Sequence, residues 1–245
     1  MDEENVLKAN GTVGGVRGVG SVNLASGNPC TTPVLSAIVY LDDTGMGQGV
    51  AWNEMTDSPY SVKLRELKHS DLESVHGLLS DWSVVRYMLL PHCTTKEESR
   101  KCLEELITES PDAAWLSMAR AVELRDSGDV IGLCGIAILH GSEQGEIWYL
   151  VRPEYWGHGI AAEAARALLT IGFAEMNLHR MFATCLPENP ASSLVLEKIG
   201  MRKECRQSKN LKIHGVWHDC VLYALLREEW ELMVNGNGPG HDSDG

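Results

Sequence analysis

The chain has 245 residues, of which 44% are hydrophobic and 22% are charged, so it is long enough for one large domain and short for two full ones. A formal net charge of −13 argues against a nucleic-acid partner, because neutralising phosphates requires a basic surface, and no apolar stretch approaches the roughly 20 residues of a membrane-spanning helix. The seven cysteines are scattered and form no Cys-x-x-Cys pair, so neither a disulfide framework nor a metal site is expected.

The first 59 residues differ in composition from the rest. They contain nine of the 24 glycines and seven acidic residues against two basic ones, with no sustained apolar periodicity. We expect this Gly-rich, acidic extension to be mostly disordered. Because its acidic start lacks the features of a secretory or organelle-targeting peptide, the sequence also predicts a cytoplasmic protein.

Periodic segments begin at Tyr60. Residues 61–67 alternate in polarity like a half-buried strand, and the apolar residues of 71–79 then recur at helical spacing. Thr95 and Glu98 have the spacing of a capping box, which predicts the start of a second helix. The chain therefore opens its folded part with one strand and two helices.

Three strand-like runs come next, and the turn residues between them predict an antiparallel meander. These runs lie at residues 114–122, 130–139 and 146–151. Helix and strand patterns then alternate, with helices at about 160–173 and 191–199 and strands at 180–186, 202–213 and 220–226. The predicted class is α/β, with a folded domain over residues 60–232 and a flexible Gly-rich tail over 233–245.

The most informative stretch is residues 148–164, in which a strand runs into a Gly-x-Gly turn that opens a helix. Gly157 and Gly159 permit unusual dihedral angles and allow a phosphate to approach the main chain. The first N–H groups of the helix point outward at the positive end of its dipole, which is typical of an anion site. A sharp turn without a ligand explains the two glycines equally well. The Rossmann and Walker patterns do not fit, because a third glycine and a Gly-Lys-Ser/Thr sequence are both absent.

Residues 152–164 resemble the acetyl-CoA pyrophosphate loop of the GNAT N-acetyltransferase superfamily, in the Rim-type branch that includes ribosomal-protein N-terminal acetyltransferases. Residues 188–201 are similar to the second signature of that branch, an Asn-x-x-Ser helix that ends in Lys-x-Gly-Phe, with Met201 here in place of the Phe. The closing run, 221–230, resembles the usual last strand. Together these matches cover about residues 60–230.

The resemblance implies a mixed, mostly antiparallel sheet that is flanked by helices and splayed open at the central strand, where acetyl-CoA lies. Main-chain groups of residues 150–152 would pair with the pantetheine arm, and amides of residues 157–162 would hold the pyrophosphate. Trp156 would cover the cleft, and Asn189 and Ser192 would contact the CoA arm. The implied cofactor residues are Leu150, Val151, Arg152, Trp156, Gly157, His158, Gly159, Ile160, Ala161, Ala162, Asn189 and Ser192.

Two departures from the superfamily pattern affect the implied chemistry. Glu154 places a carboxylate near the diphosphate, and Leu196 occupies the position of the tyrosine that protonates the leaving thiolate in many members. Ser192 is the implied replacement, although a serine in the first turn of a helix also serves as a cap. Glu146 is the candidate general base, with an exposed strand-end carboxylate as the alternative. His218 and Asp219 would lie toward the acceptor, although the polarity of a loop explains them equally well.

The sequence thus predicts direct transfer of an acetyl group from acetyl-CoA to a primary amine, with the α-amino group of a protein or peptide as the expected acceptor. A small-molecule amine, such as an antibiotic, a polyamine or an amino acid, is the alternative acceptor. A non-catalytic CoA-binding sensor is the alternative from another class, since Leu196 replaces the tyrosine. The expected assembly is a monomer or a homodimer.

Overall fold

The computed structural model describes residues 60–108, 115–139 and 141–236 of the chain. The predictions for residues 1–59 and for the tail beyond residue 236 lie outside the described residues. Seven strands and six α-helices follow one another along the described part, together with short 3-10 turns at His69–Asp71 and Pro153–Tyr155 and a π-helical turn at Ile171–Glu175. In chain order they are β1 (Val62–Glu66), α1 (Leu72–Leu79), α2 (Trp82–Val85), α3 (Lys96–Ile107), β2 (Trp115–Leu124), β3 (Val130–Leu139), β4 (Gln144–Val151), α4 (Ile160–Thr170), β5 (Arg180–Cys185), α5 (Pro190–Lys198), β6 (Arg202–Ile213), β7 (Val216–Leu226) and α6 (Arg227–Val234).

All seven strands join one sheet, in the order β1-β2-β3-β4-β5-β7-β6. Neighbouring strands are antiparallel except for β4 and β5, which run parallel. The meander that the sequence predicts is confirmed as β2-β3-β4, and the mixed, mostly antiparallel sheet with flanking helices is confirmed as well. Within the described residues, no helix is both long and apolar enough to cross a membrane.

The sheet is open between β4 and β5. The two strands pair at three positions only, Gln144 with Arg180, Gly145 with Met181 and Glu146 with Phe182. Beyond Glu146, β4 continues to Val151 without pairing to β5. A parallel ladder that ends after three residue pairs leaves one edge of β4 without strand partners. The expected splay at the central strand is therefore present, and it begins at Glu146.

Helices cover both faces of the sheet, and β4 supplies side chains to both cores. Ile147 and Val151 belong to the cluster that contains α4, whereas Leu150 belongs to the cluster that contains α1, α2 and α3. This alternation follows from the two-residue repeat of a strand. Fully buried apolar side chains such as Leu78 and Leu168 each contribute about 1.5–3 kcal/mol to folding.

Gly135 allows the ring of Trp148 to lie flat across β3. The two residues are register partners in the β3–β4 ladder. A Cβ atom at position 135 would stand 2.6 Å from Cζ2 of Trp148 and 2.2 Å from the carbonyl oxygen of Met118, which is closer than real Cβ contacts. Any larger residue at 135 would therefore displace the Trp148 ring from its place beside the cavity.

The predicted start of the second helix is confirmed by its capping residues. The Oγ1 atom of Thr95 accepts a hydrogen bond from the backbone N–H of Glu98 at 3.3 Å, and the Glu98 carboxylate accepts one from the N–H of Thr95 at 3.0 Å. This reciprocal pair is the capping box that the sequence indicates at the start of α3.

Two helices were not predicted. The four-residue helix α2 is too short for an apolar periodicity, and the side chain of Asp81 caps it by accepting from the N–H of Ser83 at 2.8 Å. The predicted strand end at Leu226 is confirmed, and the last four residues of the run 221–230 form the start of α6 instead of the strand. There the Glu229 carboxylate accepts from the N–H of Leu226 at 2.9 Å and starts α6.

The last hairpin is longer than predicted. β7 begins at Val216, four residues before the expected start, because His214 and Gly215 form a two-residue turn with φ angles of 46° and 84°. Positive φ at both central residues is the geometry of a type I′ turn, which matches the twist of the adjoining strands. The hairpin tip contacts α2, where Nε2 of His214 lies 3.1 Å from the carbonyl oxygen of Val85.

Candidate active site

The turn between β4 and α4 presents free main-chain donors. Gly157 and Gly159 have φ angles of 80° and 81°, in the left-handed region that glycine adopts without strain. Gly159 is the N-cap of α4 and offers no side chain to the helix. In the described part of the chain, no acceptor meets the N–H groups of Ile160, Ala161 and Ala162. Since these donors point out at the positive end of an eleven-residue helix, the turn is suited to bind an anion.

Glu154 does not oppose this anion site. The sequence places a carboxylate in the loop, close to the expected diphosphate. In the structure the Glu154 side chain is exposed and lies outside the wall of the cavity. Its charge is therefore screened by water.

Trp156 ties this turn to the end of β4. Its indole N–H donates a hydrogen bond to the carbonyl oxygen of Val151 at 2.7 Å, and about half of its side chain remains exposed. The tryptophan thus lines the cavity at the end of β4, and its role as a cover of the cleft stays a prediction.

The free edge of β4 has a defined set of main-chain groups. The N–H of Arg152 bonds to the carbonyl oxygen of Ile131 at 2.8 Å, in register with the β3–β4 ladder. Because hydrogen-bonded pairs alternate along an antiparallel ladder, Leu150 and Arg152 direct their main-chain groups toward β3. Tyr149 and Val151 direct theirs into the gap. Of the three residues expected to pair with the pantetheine arm, only Val151 faces the gap, and Tyr149 joins it.

One cavity of about 1250 Å³ collects the predicted site. All of the predicted catalytic and cofactor residues line it except Arg152 and His158. The guanidinium of Arg152 turns toward Gly77 of α1, and the ring of His158 packs edge-on against Tyr60, with 5.3 Å between ring centroids. The side chains of these two residues thus lie away from the cavity.

Glu146 lies where the gap opens. Its side chain is buried and accepts hydrogen bonds from the side chain and backbone of Thr184 on β5. Burial raises the pKa of the Glu146 carboxyl to about 7, and the bonds from Thr184 partly offset that rise. A carboxyl group that titrates near neutral pH is well suited to act as a general base.

Ser192 lies in the first turn of α5, on the other side of β4. The Asn189 side-chain oxygen caps this helix by accepting from the Ser192 N–H at 3.3 Å. The Ser192 hydroxyl oxygen is 3.1 Å from the hydroxyl of Tyr149, which also lies 3.3 Å from the Ser192 carbonyl oxygen. Burial raises the pKa of Tyr149, so its phenol stays neutral. Tyr149 was not among the predicted site residues, although its place in β4, between Ile147 and Val151, puts it on the face toward α4.

The two candidate catalytic residues lie on opposite sides of β4. Glu146, Trp148 and Leu150 share the face toward α1–α3, whereas Tyr149 shares the opposite face with Ile147 and Val151. A reacting group held in the gap could therefore meet the carboxyl of Glu146 on one side and the hydroxyl of Ser192 on the other. This arrangement suits the transfer of a group between two substrates that enter from opposite sides.

His218 and Asp219 do not line the cavity. Asp219 bonds to the N–H of Lys209 at 3.0 Å and to Arg206 at 2.9 Å, so it stabilises the β6–β7 hairpin. These bonds lower the pKa of Asp219, with the Lys209 N–H as the largest cause. Leu196 is buried in the core. Over residues 60–108, 115–139 and 141–236, no three His, Cys, Asp or Glu side chains form a group that could hold a metal ion.

Comparison with known proteins identifies the family. Residues 61–202 match the family described as an acetyltransferase (GNAT) domain. The uncharacterized N-acetyltransferase YnaD of Bacillus subtilis is 37% identical over 167 residues, which cover 68% of this chain and 94% of that protein. A GNAT-family acetyltransferase from Bacillus anthracis has the same fold, with a TM-score of 0.62 and 33% identity over 71% of this chain and 99% of that one.

Two further relatives have names that specify an acceptor. The putative ribosomal N-acetyltransferase YdaF of Bacillus subtilis is 38% identical over 103 residues, or 40% of this chain and 56% of that protein. The spermidine N(1)-acetyltransferase of Escherichia coli is 26% identical over 174 residues, or 71% of this chain and 90% of that protein. These names differ in the kind of acceptor, but both describe acetyl transfer to an amine. The chain belongs to the GNAT family of acetyltransferases, and it is an acyl-CoA N-acyltransferase.

Proposed function

We propose that the protein transfers the acetyl group of acetyl-CoA to the α-amino group of a protein or peptide. The observation that carries this proposal is the continuity of one cavity from the turn at Gly157 and Gly159, along the free edge of β4, to Glu146. A cofactor with a diphosphate at one end and a reactive acyl group at the other fits such a cavity.

The cofactor side of the cavity matches the chemistry of CoA. The free N–H groups of Ile160, Ala161 and Ala162 would hold the diphosphate. The gap-facing main-chain groups of Tyr149 and the N–H of Val151 would bond to the amides of the pantetheine arm, as a neighbouring strand would, while the Val151 carbonyl already accepts from Trp156. Acetyl-CoA supplies the activated acyl group as a thioester.

Glu146 and Ser192 would divide the chemistry of a direct transfer. As a carboxylate, Glu146 accepts the proton that the acceptor ammonium must lose before its nitrogen can attack. The C–N bond then forms as the C–S bond breaks, and the second proton that the nitrogen loses passes to the sulfur, so that CoA leaves as a thiol. Ser192 donates its hydroxyl hydrogen toward the departing sulfur and stabilises the negative charge that develops there.

The charges of the cavity wall favour an acceptor with a single amine. Among the described residues, the wall contains three carboxylates, and only Glu146 is buried, while Glu105 and Glu188 are exposed. Arg86 and Lys198 also line the wall, and their charges oppose the binding of further cations. A polyamine carries several positive charges that would lack buried partners, whereas a peptide N-terminus carries one.

A small-molecule amine remains the second candidate acceptor, supported by the similarity to the spermidine N(1)-acetyltransferase. The two candidates are separated by incubating the purified protein and acetyl-CoA with unblocked peptides, with the same peptides blocked at the N-terminus, and with spermidine. Mass spectrometry locates the acetyl group. We expect acetylation of the unblocked peptide N-terminus. Turnover of spermidine alone would contradict the peptide assignment and support the second candidate.

A further inference from the structure

The acceptor side of the cavity has an apolar chamber. We define the acceptor chamber as the part of the cavity between β4 and α2–α3, walled by Val84, Met88, Leu90, Leu106, Trp148 and Leu150. All six belong to or pack against one hydrophobic cluster. Met88, Leu90, Leu106 and Trp148 are only partly buried, so each keeps apolar surface in contact with the cavity.

The chamber adjoins the candidate base. Trp148 and Leu150 share the face of β4 with Glu146. The chamber therefore begins at Trp148, the next side chain on that face after the carboxyl that would deprotonate the amine. Glu105 and Arg86, the charged residues that α2–α3 contribute to this wall, are exposed and opposite in sign. If the amine of an acceptor is held at Glu146, the group attached to the adjacent carbon would therefore lie against apolar surface.

We propose that the acceptor is a peptide or protein whose first residue has a large apolar side chain, which enters the acceptor chamber while its α-amino group lies at Glu146. This inference rests on the proposed function and specifies its substrate class. Apolar side chains lose their contact with water in such a chamber, and small or charged ones gain little or are penalised. The chamber thus discriminates by the first side chain.

The test compares peptides that differ only at the first residue. We expect kcat/KM for peptides that start with Leu, Met or Phe to exceed that for Ala by about tenfold or more, because a pocket gains roughly this factor from one or more buried methylene groups. Peptides that start with Asp or Lys should be poorer still. Equal kcat/KM for the Leu and Ala peptides would overturn the chamber assignment and leave the peptide proposal intact.

A pair of variants tests the chamber directly. Leu106→Asp places a charge in its wall, whereas Leu232→Asp places one on the exposed surface of α6, outside the cavity wall. We expect Leu106→Asp to lower kcat/KM for the Leu peptide at least about tenfold and to affect the Ala peptide less. Leu232→Asp should change neither. Leu106→Ala is the milder variant if the aspartate reduces folding, and it should narrow the Leu-to-Ala preference.

The remaining outcomes separate the inference from the function. Turnover of polyamines without any peptide turnover would overturn both the chamber assignment and the peptide proposal. Binding of CoA without acetylation of any peptide or polyamine would overturn the proposed function itself. An unchanged Leu-to-Ala preference in a folded Leu106→Ala protein would overturn the chamber alone.

A second inference comes from the hydrogen bond between β4 and α5. Tyr149 Oη lies 3.1 Å from Ser192 Oγ, and both residues line the cavity. The single phenol hydrogen has two acceptors on Ser192, Oγ at 3.1 Å and the carbonyl oxygen at 3.3 Å. When it is donated to the nearer Oγ, the hydrogen of the serine hydroxyl is free to point into the cavity. We infer that Tyr149 is a positioning residue that orients the Ser192 hydroxyl toward the departing sulfur. This inference also rests on the proposed function.

Tyr223 provides a matched control. Its hydroxyl also donates from the sheet to α5, to the Glu197 carboxylate at 3.1 Å, but Tyr223 does not line the cavity. Tyr149→Phe should lower kcat about tenfold and leave the affinity for CoA within about twofold, as expected for an interaction made in the transition state. Tyr223→Phe should leave kcat unchanged. Equal losses in both variants would show that only the anchoring of α5 matters and would overturn the inference.

Two further measurements complete the test: the coupling between the Tyr149 and Ser192 substitutions, and the dependence of each loss of kcat on the acidity of the leaving thiol. Because Tyr149 acts through Ser192, adding Tyr149→Phe to Ser192→Ala should cause no further loss of kcat. Both single losses should shrink with an acetyl thioester of a more acidic thiol, which needs less stabilisation. Multiplicative losses, or losses that are insensitive to the thiol, would overturn the positioning role. If Ser192→Ala itself has no effect while acetylation continues, the role of Ser192 is wrong and the acetyltransferase assignment stands.

Discussion

The indole N–H of Trp156 and the carbonyl oxygen of Val151 are joined by a 2.7 Å hydrogen bond. This bond spans the loop from the last residue of β4 to the residue before Gly157. It fixes the approach of the loop to the free edge of the strand. The binding turn is thus anchored to the sheet before any ligand arrives.

Trp156→Phe should weaken CoA binding. The phenylalanine ring retains most of the apolar cover but cannot donate to Val151, so the loop loses its anchor. The expected increase in the dissociation constant is about two- to tenfold, the range for one net hydrogen bond. Isothermal titration calorimetry with CoA measures it. Tighter binding would show instead that the indole competes with the cofactor for the Val151 carbonyl.

Gly159→Ala should weaken CoA binding more strongly. Its φ of 81° is costly for alanine, and relaxing that strain would turn the N–H groups of Ile160 and Ala161 away from the diphosphate. We expect about a tenfold or greater loss of affinity. Gly128→Ala is the matched control, because Gly128 has a φ of 77° in the β2–β3 turn, outside the cavity wall. Both variants should lower the melting temperature, and only Gly159→Ala should affect CoA. Equal CoA affinity in both would contradict the anion site.

Glu146→Gln should lower kcat by about 100-fold or more, since glutamine cannot accept the proton of the amine. In the unmodified protein, burial raises the pKa of Glu146 to about 7, so kcat should rise with pH and level off above that value. The glutamine variant should lack this rise of kcat with pH. A pH profile with a saturating acceptor measures both. An unchanged rise in Glu146→Gln would mean that another group is the base.

Stability provides the control for this variant. A carboxyl whose pKa is raised on folding makes the folded state bind more protons than the unfolded one, so stability falls as pH rises from about 4.5 to about 7. The glutamine side chain of Glu146→Gln does not titrate and has no such dependence. Chemical denaturation at pH 8 should therefore show the variant to be at least as stable as the original protein, which assigns the loss of kcat to chemistry rather than to unfolding.

Thr184→Val should shift the rise of kcat to higher pH. The Thr184 hydroxyl bonds to the Glu146 carboxylate and lowers the pKa of that group, partly offsetting the effect of burial. Valine keeps the shape and removes the bond, so the carboxyl should ionise at higher pH. Thr184→Ser keeps the hydroxyl and should shift the rise little. A downward shift in Thr184→Val would contradict the hydrogen bond as the cause.

The sequence predicted the features that depend on local pattern. The strand-turn-helix around Gly157 and Gly159 and the capping box of α3 are local and were predicted. The contact between Tyr149 and Ser192 was not, because those residues are 43 positions apart and meet only through the splay of the sheet. The directions of the Arg152 and His158 side chains depend on packing against α1 and Tyr60, which no spacing in the loop reveals.

The three-pair ladder between β4 and β5 has a mechanical consequence. The seven strands form two halves of the sheet, β1–β4 and β5–β7. Three residue pairs between β4 and β5 join them. A pantetheine arm that bonds to the free edge of β4 would supply the hydrogen bonds that β5 does not make there. Binding of the cofactor would then also complete the hydrogen bonding across the sheet. The concentration of acetyl-CoA would thus set how rigid the enzyme is when its acceptor arrives.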